Sequence, residues 1–319
     1  MKKIAVITSG GDAPGMNACV RAVVRKAIAC GFDVYGVMNG YRGLLTDNIY
    51  KMDARSVSGI IHRGGTILKS SRCVEIRTPE GMKKAVETLK RRQIECVIII
   101  GGDGTLAAGI KISKLGISVI GIPASIDNDV NGTDETIGFD TAVNTAVEAI
   151  DKIRDTATSF DRIFVVEVMG REHGFLALEV GLASGAEFVI IPEHKYDINA
   201  ICKDLKKDRI NQKTSEIIVF AEGCGDPADF AAQIVKKTGI DVKVSNLGYI
   251  QRGGSPTARS RNLAALCGSY AVDLAGRGVK NRVIVVHKGT VTSIPLKSVV
   301  FGKKSVNPKM LKTIKELSA

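Results

Sequence analysis

The chain has 319 residues, 45% hydrophobic and 24% charged, which is enough apolar material for a sizeable core and excludes disorder. With 45 Lys and Arg against 33 Asp and Glu, its net charge of +12 suits a polyanionic ligand, but 5% aromatic residues and no Trp leave little for stacking on bases, so no nucleic-acid partner is expected. The 7 Cys and 4 His lack ligand spacing, which argues against a disulfide framework or a zinc site, and no apolar run approaches the roughly 20 residues of a membrane span, so no membrane partner is expected either.

Met1, Lys2 and Lys3 lead straight into a β-branched run with no apolar leader, so a soluble, cytoplasmic chain is expected. Short β-branched runs then alternate with amphipathic stretches, predicting strands at 4–8, 33–37, 96–100, 118–122, 163–168, 188–191, 217–220 and 283–286. The clearest helix carries Phe139, Val143, Val147, Ile150 and Ile153 at helical spacing, and a short helix over 309–317 closes the chain. The fold class expected is α/β: two Rossmann-like domains with largely parallel sheets and an active-site cleft between them. The turn-rich run 131–134 before the long helix places a boundary near residue 138.

Three turns rich in glycine or carboxylate follow predicted strands, where open α/β sheets bind ligands. The first, Thr-Ser-Gly-Gly-Asp-Ala-Pro-Gly-Met-Asn over 8–17, brings backbone N–H groups and a helix N-terminus within reach of an anion. It matches neither the dinucleotide fingerprint nor the Walker pattern. The second, Gly101-Gly102-Asp103-Gly104-Thr105, sets a carboxylate among glycines, an arrangement suited to Mg²⁺ and phosphate. The third runs from Pro123 through Ser125, Ile126, Asp127, Asn128 and Asp129, offering one carboxylate as proton acceptor and another for a metal. In isolation each also reads as an ordinary tight turn or solvated loop. Arg72, Arg162, Arg171 and Arg252 complete a phosphate-handling set, since the guanidinium fork donates two parallel hydrogen bonds to phosphate.

These motifs, with Gly132-Thr133, Thr136-Ile137-Gly138, the run 151–156, the run 166–171 and the run 251–256, resemble the bacterial ATP-dependent 6-phosphofructokinases over nearly the whole chain. Only Gly-Gly-Asp-Gly-Thr is shared more widely, with NAD and diacylglycerol kinases. The resemblance implies a glycolytic enzyme that phosphorylates the 1-hydroxyl of fructose 6-phosphate with ATP and Mg²⁺. It implies a nucleotide-binding domain of 1–138 with about 251–303, and a sugar-phosphate-binding domain of 139–250 with about 304–319. Asp127 would be the general base, with Arg171 and Arg72 stabilising the transferring phosphoryl group. Asp103 and Asp129 would hold the metal. Gly11, Tyr41, Arg72, Cys73, Gly102, Asp103, Gly104 and Thr105 would bind nucleotide, Tyr41 lying against adenine.

The substrate would meet Ser125, Ile126, Asp127, Met169, Gly170, Arg171 and Glu222, together with Tyr249, Ile250, Gln251 and Arg252. Arg162 and Lys243 would come from a neighbouring subunit of a homotetramer with shared active sites. An allosteric site for ADP and phosphoenolpyruvate is implied at Arg21, Ala22, Val23, Val24 and Arg25, with Arg154, Gly185, Ala186, Glu187, Lys213, Thr214 and Ser215. It is depleted in cations at Ala54, Asn211, Thr214 and Ser215, where relatives often carry basic residues. Lys243 and Tyr249 also depart from the family's usual Arg and His, which bears on sugar-phosphate affinity. Pyrophosphate-dependent relatives carry Asp where Gly104 stands and Lys where Ala124 stands, so ATP is expected as donor. The alternatives are a pyrophosphate-dependent enzyme, a non-catalytic nucleotide- or sugar-phosphate-binding paralogue, or a kinase for NAD or lipid.

Overall fold

The computed structural model describes residues 2–213, 215–300 and 304–318. Its strands are β1 (Lys3–Thr8), β2 (Asp33–Val37), β3 (Ile49–Met52), β4 (Cys96–Gly101), β5 (Ser118–Ser125), β6 (Ile137–Gly138), β7 (Ile163–Val168), β8 (Phe188–Ile190), β9 (Glu216–Ala221), β10 (Val242–Asn246), β11 (Arg282–His287) and β12 (Thr290–Pro295). The helices are α1 (Met16–Ala29), α2 (Tyr41–Leu45), α3 (Pro79–Arg91), α4 (Asp103–Lys114), α5 (Phe139–Ser159), α6 (Phe175–Ala183), α7 (Ile198–Ile210), α8 (Pro227–Thr238), α9 (Ala258–Gly276), α10 (Leu296–Val300) and α11 (Pro308–Leu317). They form two compact units, Met1–Thr141 with Arg252–Lys304, and Ala142–Gln251 with Ser305–Ala319.

The first unit is built on a sheet ordered β12-β11-β5-β4-β1-β2-β3, with β6 added beside β5. Its central strands β1, β4 and β5 pair in parallel, whereas β3 and β12 close the two edges antiparallel. Every residue of β4 is buried, as a central parallel strand with both faces covered requires. On one face α1 packs against α9, where Gly268 lets the helices close: a Cβ there would stand 2.8 Å from Ala22 Cβ.

The second unit has a wholly parallel sheet, β10-β7-β9-β8, around a core that includes Phe220, Phe230, Ile190 and Leu205. Its α8 begins with Pro227 behind the N-cap Asp226, which accepts a hydrogen bond from Ala228 N–H (2.8 Å), and ends on Gly239 at φ 74°.

The α/β class and all eight expected strands occur, with small shifts of their ends. β3, β6, β10 and β12 were not anticipated: they are short or lie at sheet edges, with the weaker, mixed polarity of edge strands. A second difference is that Pro123, Ala124 and Ser125 are strand rather than turn. Pro123 pairs with Gly101, the last residue of β4, beyond the Ile120 and Gly121 pairing with β11, so it stands at the end of the ladder, where a missing N–H costs least.

Glu216 opens β9 with no exposure, and Arg209 stands 3.2 Å from its Oε2 while Oε1 has no hydrogen-bond partner among the described residues. Burial pushes its carboxyl up to about 7, with Arg209 opposing and Glu187 and Asp208 reinforcing the rise. A raised acid keeps its proton in the folded state after the unfolded chain has lost it. Its contribution is therefore complete below the unfolded value of 4.5 and is lost as pH rises through about 7. The loss is at most about 3 kcal/mol. Melting temperatures taken from pH 5 to 8 should fall more steeply for the wild type than for Glu216→Gln; parallel curves would remove Glu216 as the cause.

Candidate functional site

Strands β1, β4 and β5 are neighbours, so the turns at their carboxyl ends lie side by side. Ser9 N–H donates to Ile100 O (3.1 Å), and Thr105 Oγ1 donates to Ser9 O (2.9 Å), tying the first turn to the second. Gly10 supplies a φ of 89° beside Thr105. Asp103 is the first residue of α4, behind the N-cap Gly102, so its exposed carboxylate stands at the positive end of that helix. A Cβ built on Gly102 would lie 3.9 Å from Ser125 Cβ, which sets the second turn against the third.

The third turn is held from within. Ser125 Oγ accepts from Asp127 N–H (3.1 Å) and donates to Asp129 Oδ1 (3.2 Å), while Thr136 Oγ1 donates to Ser125 O (2.6 Å). Asn128 turns the chain at φ 51° and its Nδ2 donates to Asp134 O (3.2 Å). Asp127 is 2% exposed and Asp129 half-buried, so the two carboxylates have different surroundings. Ile126 is 1% exposed and serves the core. Lys304, which sequence reasoning passed over, donates to Asp134 O (3.1 Å). Burial brings its ammonium down to about 8, with Asp134, Asp129 and Glu135 opposing.

A cavity of about 430 Å³ opens in this unit, with Gly10 to Asp12 on one wall and Thr66 with the run Lys69 to Arg72 on the other. The second wall is stitched to the first, because Thr8 Oγ1 donates to Lys69 O (3.0 Å) and Ser70 Oγ donates to Gly10 O (2.6 Å). Arg72 lies on its exposed rim. Burial pushes the neighbouring Cys73 thiol up from its ordinary value, so it supplies no thiolate there. The adenine role expected of Tyr41 is not what the ring does: it is 3% exposed in the core, and its hydroxyl donates to Thr105 O (2.6 Å). Tyr41 therefore positions the start of α4. Arg252 also turns toward the first motif, with Nη1 donating to Asp12 O (3.4 Å) and contacting the space beside Gly11. Its Nε is buried without a hydrogen-bond partner among the described residues.

In the second unit, Met169, Gly170 and Arg171 form a turn in which Gly170 has φ 140° and Arg171 φ 54°. Glu222 Oε1 accepts from the Gly170 (3.2 Å) and Arg171 N–H groups, and Gln251 Oε1 accepts from Met169 N–H (3.2 Å). Gln251 is fully buried and so acts as a support. Arg162 (2.8 Å) and Lys243 (3.0 Å) share the Asp241 carboxylate, which the Lys243 hydrogen bond holds below its ordinary value, with burial opposing and Arg162 adding to it. Tyr249 and Ile250 are 82% and 56% exposed.

Four of the expected effector residues also meet here. Arg154 donates to Ser184 O (2.9 Å) and Gly185 O (3.1 Å), and Glu187 faces both Arg154 (3.7 Å) and Lys213 (3.3 Å). Ala186 is buried, and Ser215 Oγ lies 3.4 Å from Thr158 Oγ1. Thr214 lies outside the described residues. On α1, Arg21 and Ala22 are half-buried and Arg25 exposed, but Val23 and Val24 are fully buried core, which corrects their place among ligand contacts.

Asp103 and Asp129 offer hard oxygen donors on the second and third turns, at the carboxyl ends of β4 and β5. That suits Mg²⁺, which takes one or two carboxylates and completes its shell with water and phosphate. Among the described residues no group of three His, Cys, Asp or Glu is placed to hold a metal ion by itself.

The family model described as "Phosphofructokinase" matches residues 3–275. The ATP-dependent 6-phosphofructokinase of Halalkalibacterium halodurans is 50% identical over 318 residues, covering 100% of both chains. That of Bacillus subtilis is 48% identical with the same coverage. Among solved structures, phosphofructokinase from Saccharomyces cerevisiae superposes with a TM-score of 0.88 at 35% identity, over 100% of this chain and 47% of that one. A pyrophosphate-dependent phosphofructokinase from Marinobacter aquaeolei, at 22% identity, 96% and 86% coverage and TM-score 0.85, shares the fold.

Proposed function

Because the chain belongs to the phosphofructokinase family, we propose that it transfers the terminal phosphoryl group of ATP to the 1-hydroxyl of fructose 6-phosphate, giving fructose 1,6-bisphosphate and ADP. The observation that carries this reading is the buried Asp127, held by Ser125 beside the glycine turns, in a chain that matches ATP-dependent relatives from end to end.

Asp127 accepts the hydroxyl proton as the oxygen attacks phosphorus and the bond to ADP breaks. Because phosphoryl transfer passes through a loose, highly charged transition state, positioning and charge stabilisation do most of the work. Arg72 and Arg171 supply that charge; Gly11 and the backbone at Gly102 to Thr105 receive the nucleotide. Asp103 and Asp129 would hold Mg²⁺, which would neutralise charge on the terminal phosphates. Ser125, Met169 to Arg171 and Glu222 orient the sugar phosphate, with Arg252 as a charged partner. The first unit is the nucleotide-binding one and the second serves the sugar phosphate. Arg162, half-buried, and Lys243, exposed with Tyr249 and Ile250, reach the 6-phosphate of a neighbouring active site in a cytoplasmic homotetramer. Among the described residues no helix is long and apolar enough to cross a membrane.

An assay coupled to fructose 1,6-bisphosphate formation, run with Mg-ATP and then with pyrophosphate, tests the reading. A higher kcat/KM with pyrophosphate, or no product with either donor, would overturn it.

Regulation by ADP or phosphoenolpyruvate should be weak. Glu187 already faces Arg154 and Lys213, and Asn211 and Ser215 bring no cation, so few charge-assisted contacts remain for an anionic effector. An effector moves an equilibrium only by its differential affinity for the two states. Titrating each effector against fructose 6-phosphate saturation should shift half-saturation by less than about tenfold, near 1.4 kcal/mol of coupling. Residual binding should depend on Arg21, Arg25 and Arg154. A larger shift would show an effective switch.

A further inference from the structure

Lys69 is a lysine in an unusual place. It lines the cavity of about 430 Å³ together with Gly10, Gly11, Ser70 and Arg72, yet its side chain is exposed and makes no ion pair among the described residues. Its backbone has φ 57°, a left-handed conformation that costs a non-glycine residue free energy and favours Gly, Asn or Asp. The surroundings impose that conformation. Lys69 N–H donates to Thr66 O (3.1 Å), and its carbonyl accepts from Thr8 Oγ1 (3.0 Å). On one side Leu68 is fully buried and its carbonyl accepts from Asn39 N–H (2.8 Å); on the other Ser70 Oγ is bonded to Gly10 O. Asn17 fastens the same loop further back, with Nδ2 donating to Gly64 O (3.0 Å) and Oδ1 accepting from Ile67 N–H (2.7 Å).

A strained backbone held from every side fixes where the lysine stem leaves the loop. A flexible, strained lysine is a poor choice for holding the loop, because glycine would serve better. What lysine adds is a mobile ammonium with three donors, a point charge that complements the fixed fork of Arg72. The same lining holds the Gly10–Gly11 turn, whose backbone a phosphate can approach without Cβ interference, and one carboxylate, Asp12, against the two cations Lys69 and Arg72.

We infer that Lys69 is a nucleotide-binding residue: its ammonium pairs with the phosphate chain of ATP as a second cation beside Arg72. This rests on the reading of the chain as an ATP-dependent kinase. The interaction forms when nucleotide binds and persists through transfer, so it acts on KM more than on kcat.

Three variants separate this role from a structural one. Lys69→Met removes the charge and keeps the stem, Lys69→Arg keeps a charge, and Lys69→Gly removes the side chain while suiting φ 57°. Mg-ATP binding is measured directly by titration and in steady state, with fructose 6-phosphate kinetics and melting temperature alongside. Lys69→Met and Lys69→Gly should each weaken Mg-ATP binding and raise its KM about tenfold, equal to about 1.4 kcal/mol. The fructose 6-phosphate KM should stay within about twofold, and Lys69→Arg should recover most of the loss. Lys69→Gly should melt no lower than wild type. Unchanged Mg-ATP affinity in Lys69→Met, or a rise confined to the fructose 6-phosphate KM, would overturn the inference. A wild type that binds Mg-ATP but forms no fructose 1,6-bisphosphate would sink the kinase reading instead, and the titration would still decide the role of Lys69.

Discussion

Asp127→Ser should reduce kcat by about 10²–10⁴-fold while Mg-ATP still binds. The serine removes the proton acceptor and its charge together, and both matter most as the sugar oxygen attacks. Asp127 is 2% exposed, so little water can take over as base. The loop itself should survive, because Asn128 to Asp134, Thr136 to the Ser125 carbonyl, and Ser125 to Asp129 are bonds that do not involve the lost carboxylate. A buried carboxylate is costly to keep ionised, so its removal should not lower the melting temperature by much. Single-turnover rates and a separate nucleotide titration distinguish lost chemistry from lost binding. More than about a tenth of wild-type kcat in a folded Asp127→Ser would remove Asp127 as base.

The parallel strands were legible because burial on both faces leaves near-continuous β-branched runs, as in Cys96 to Ile100. β3, β10 and β12 carry no such signature, since each lies at an edge and is held by pairing with one neighbour. The same contrast runs through the site. Glycine and carboxylate turns after strands stand out locally, because only a few residue types suit close approach to phosphate. The third turn starts later than the sequence suggests, since Pro123 looks like a turn residue until its place at the end of the β4–β5 ladder is known.

What stayed hidden depends on contacts far along the chain. Tyr41 has only the adenine role that the resemblance implies until the Thr105 carbonyl, 64 residues on, is seen to hold its hydroxyl. Lys69 gains meaning from Thr8 and Gly10, and Lys304 from Asp134, neither of which local spacing encodes. The roles of Val23 and Val24 differ from expectation for the opposite reason. They share a helix with Arg21 and Arg25, but the face they occupy is core.

Gly104→Asp should fold normally and fail with ATP. Among the described residues a Cβ at Gly104 meets nothing within 4 Å, so the side chain has room. An acidic residue in the first turn of α4 also suits the helix dipole, which should offset the small cost in propensity or exceed it. The nucleotide is what suffers. Two like charges 4 Å apart repel by about 4 kcal/mol at an effective dielectric of 20, equal to nearly three powers of ten in affinity. Water and the bound cation screen part of that, leaving an expected loss of about 10²-fold in kcat/KM for Mg-ATP. Pyrophosphate, which has no nucleoside end to accommodate, should be affected less, so the donor ratio should move toward it. Melting temperature separates the effects: it should remain near wild type while ATP kinetics collapse. A Gly104→Asp enzyme within about threefold of wild-type kcat/KM for Mg-ATP would show that the phosphates do not pass this turn, and the nucleotide site would have to be moved.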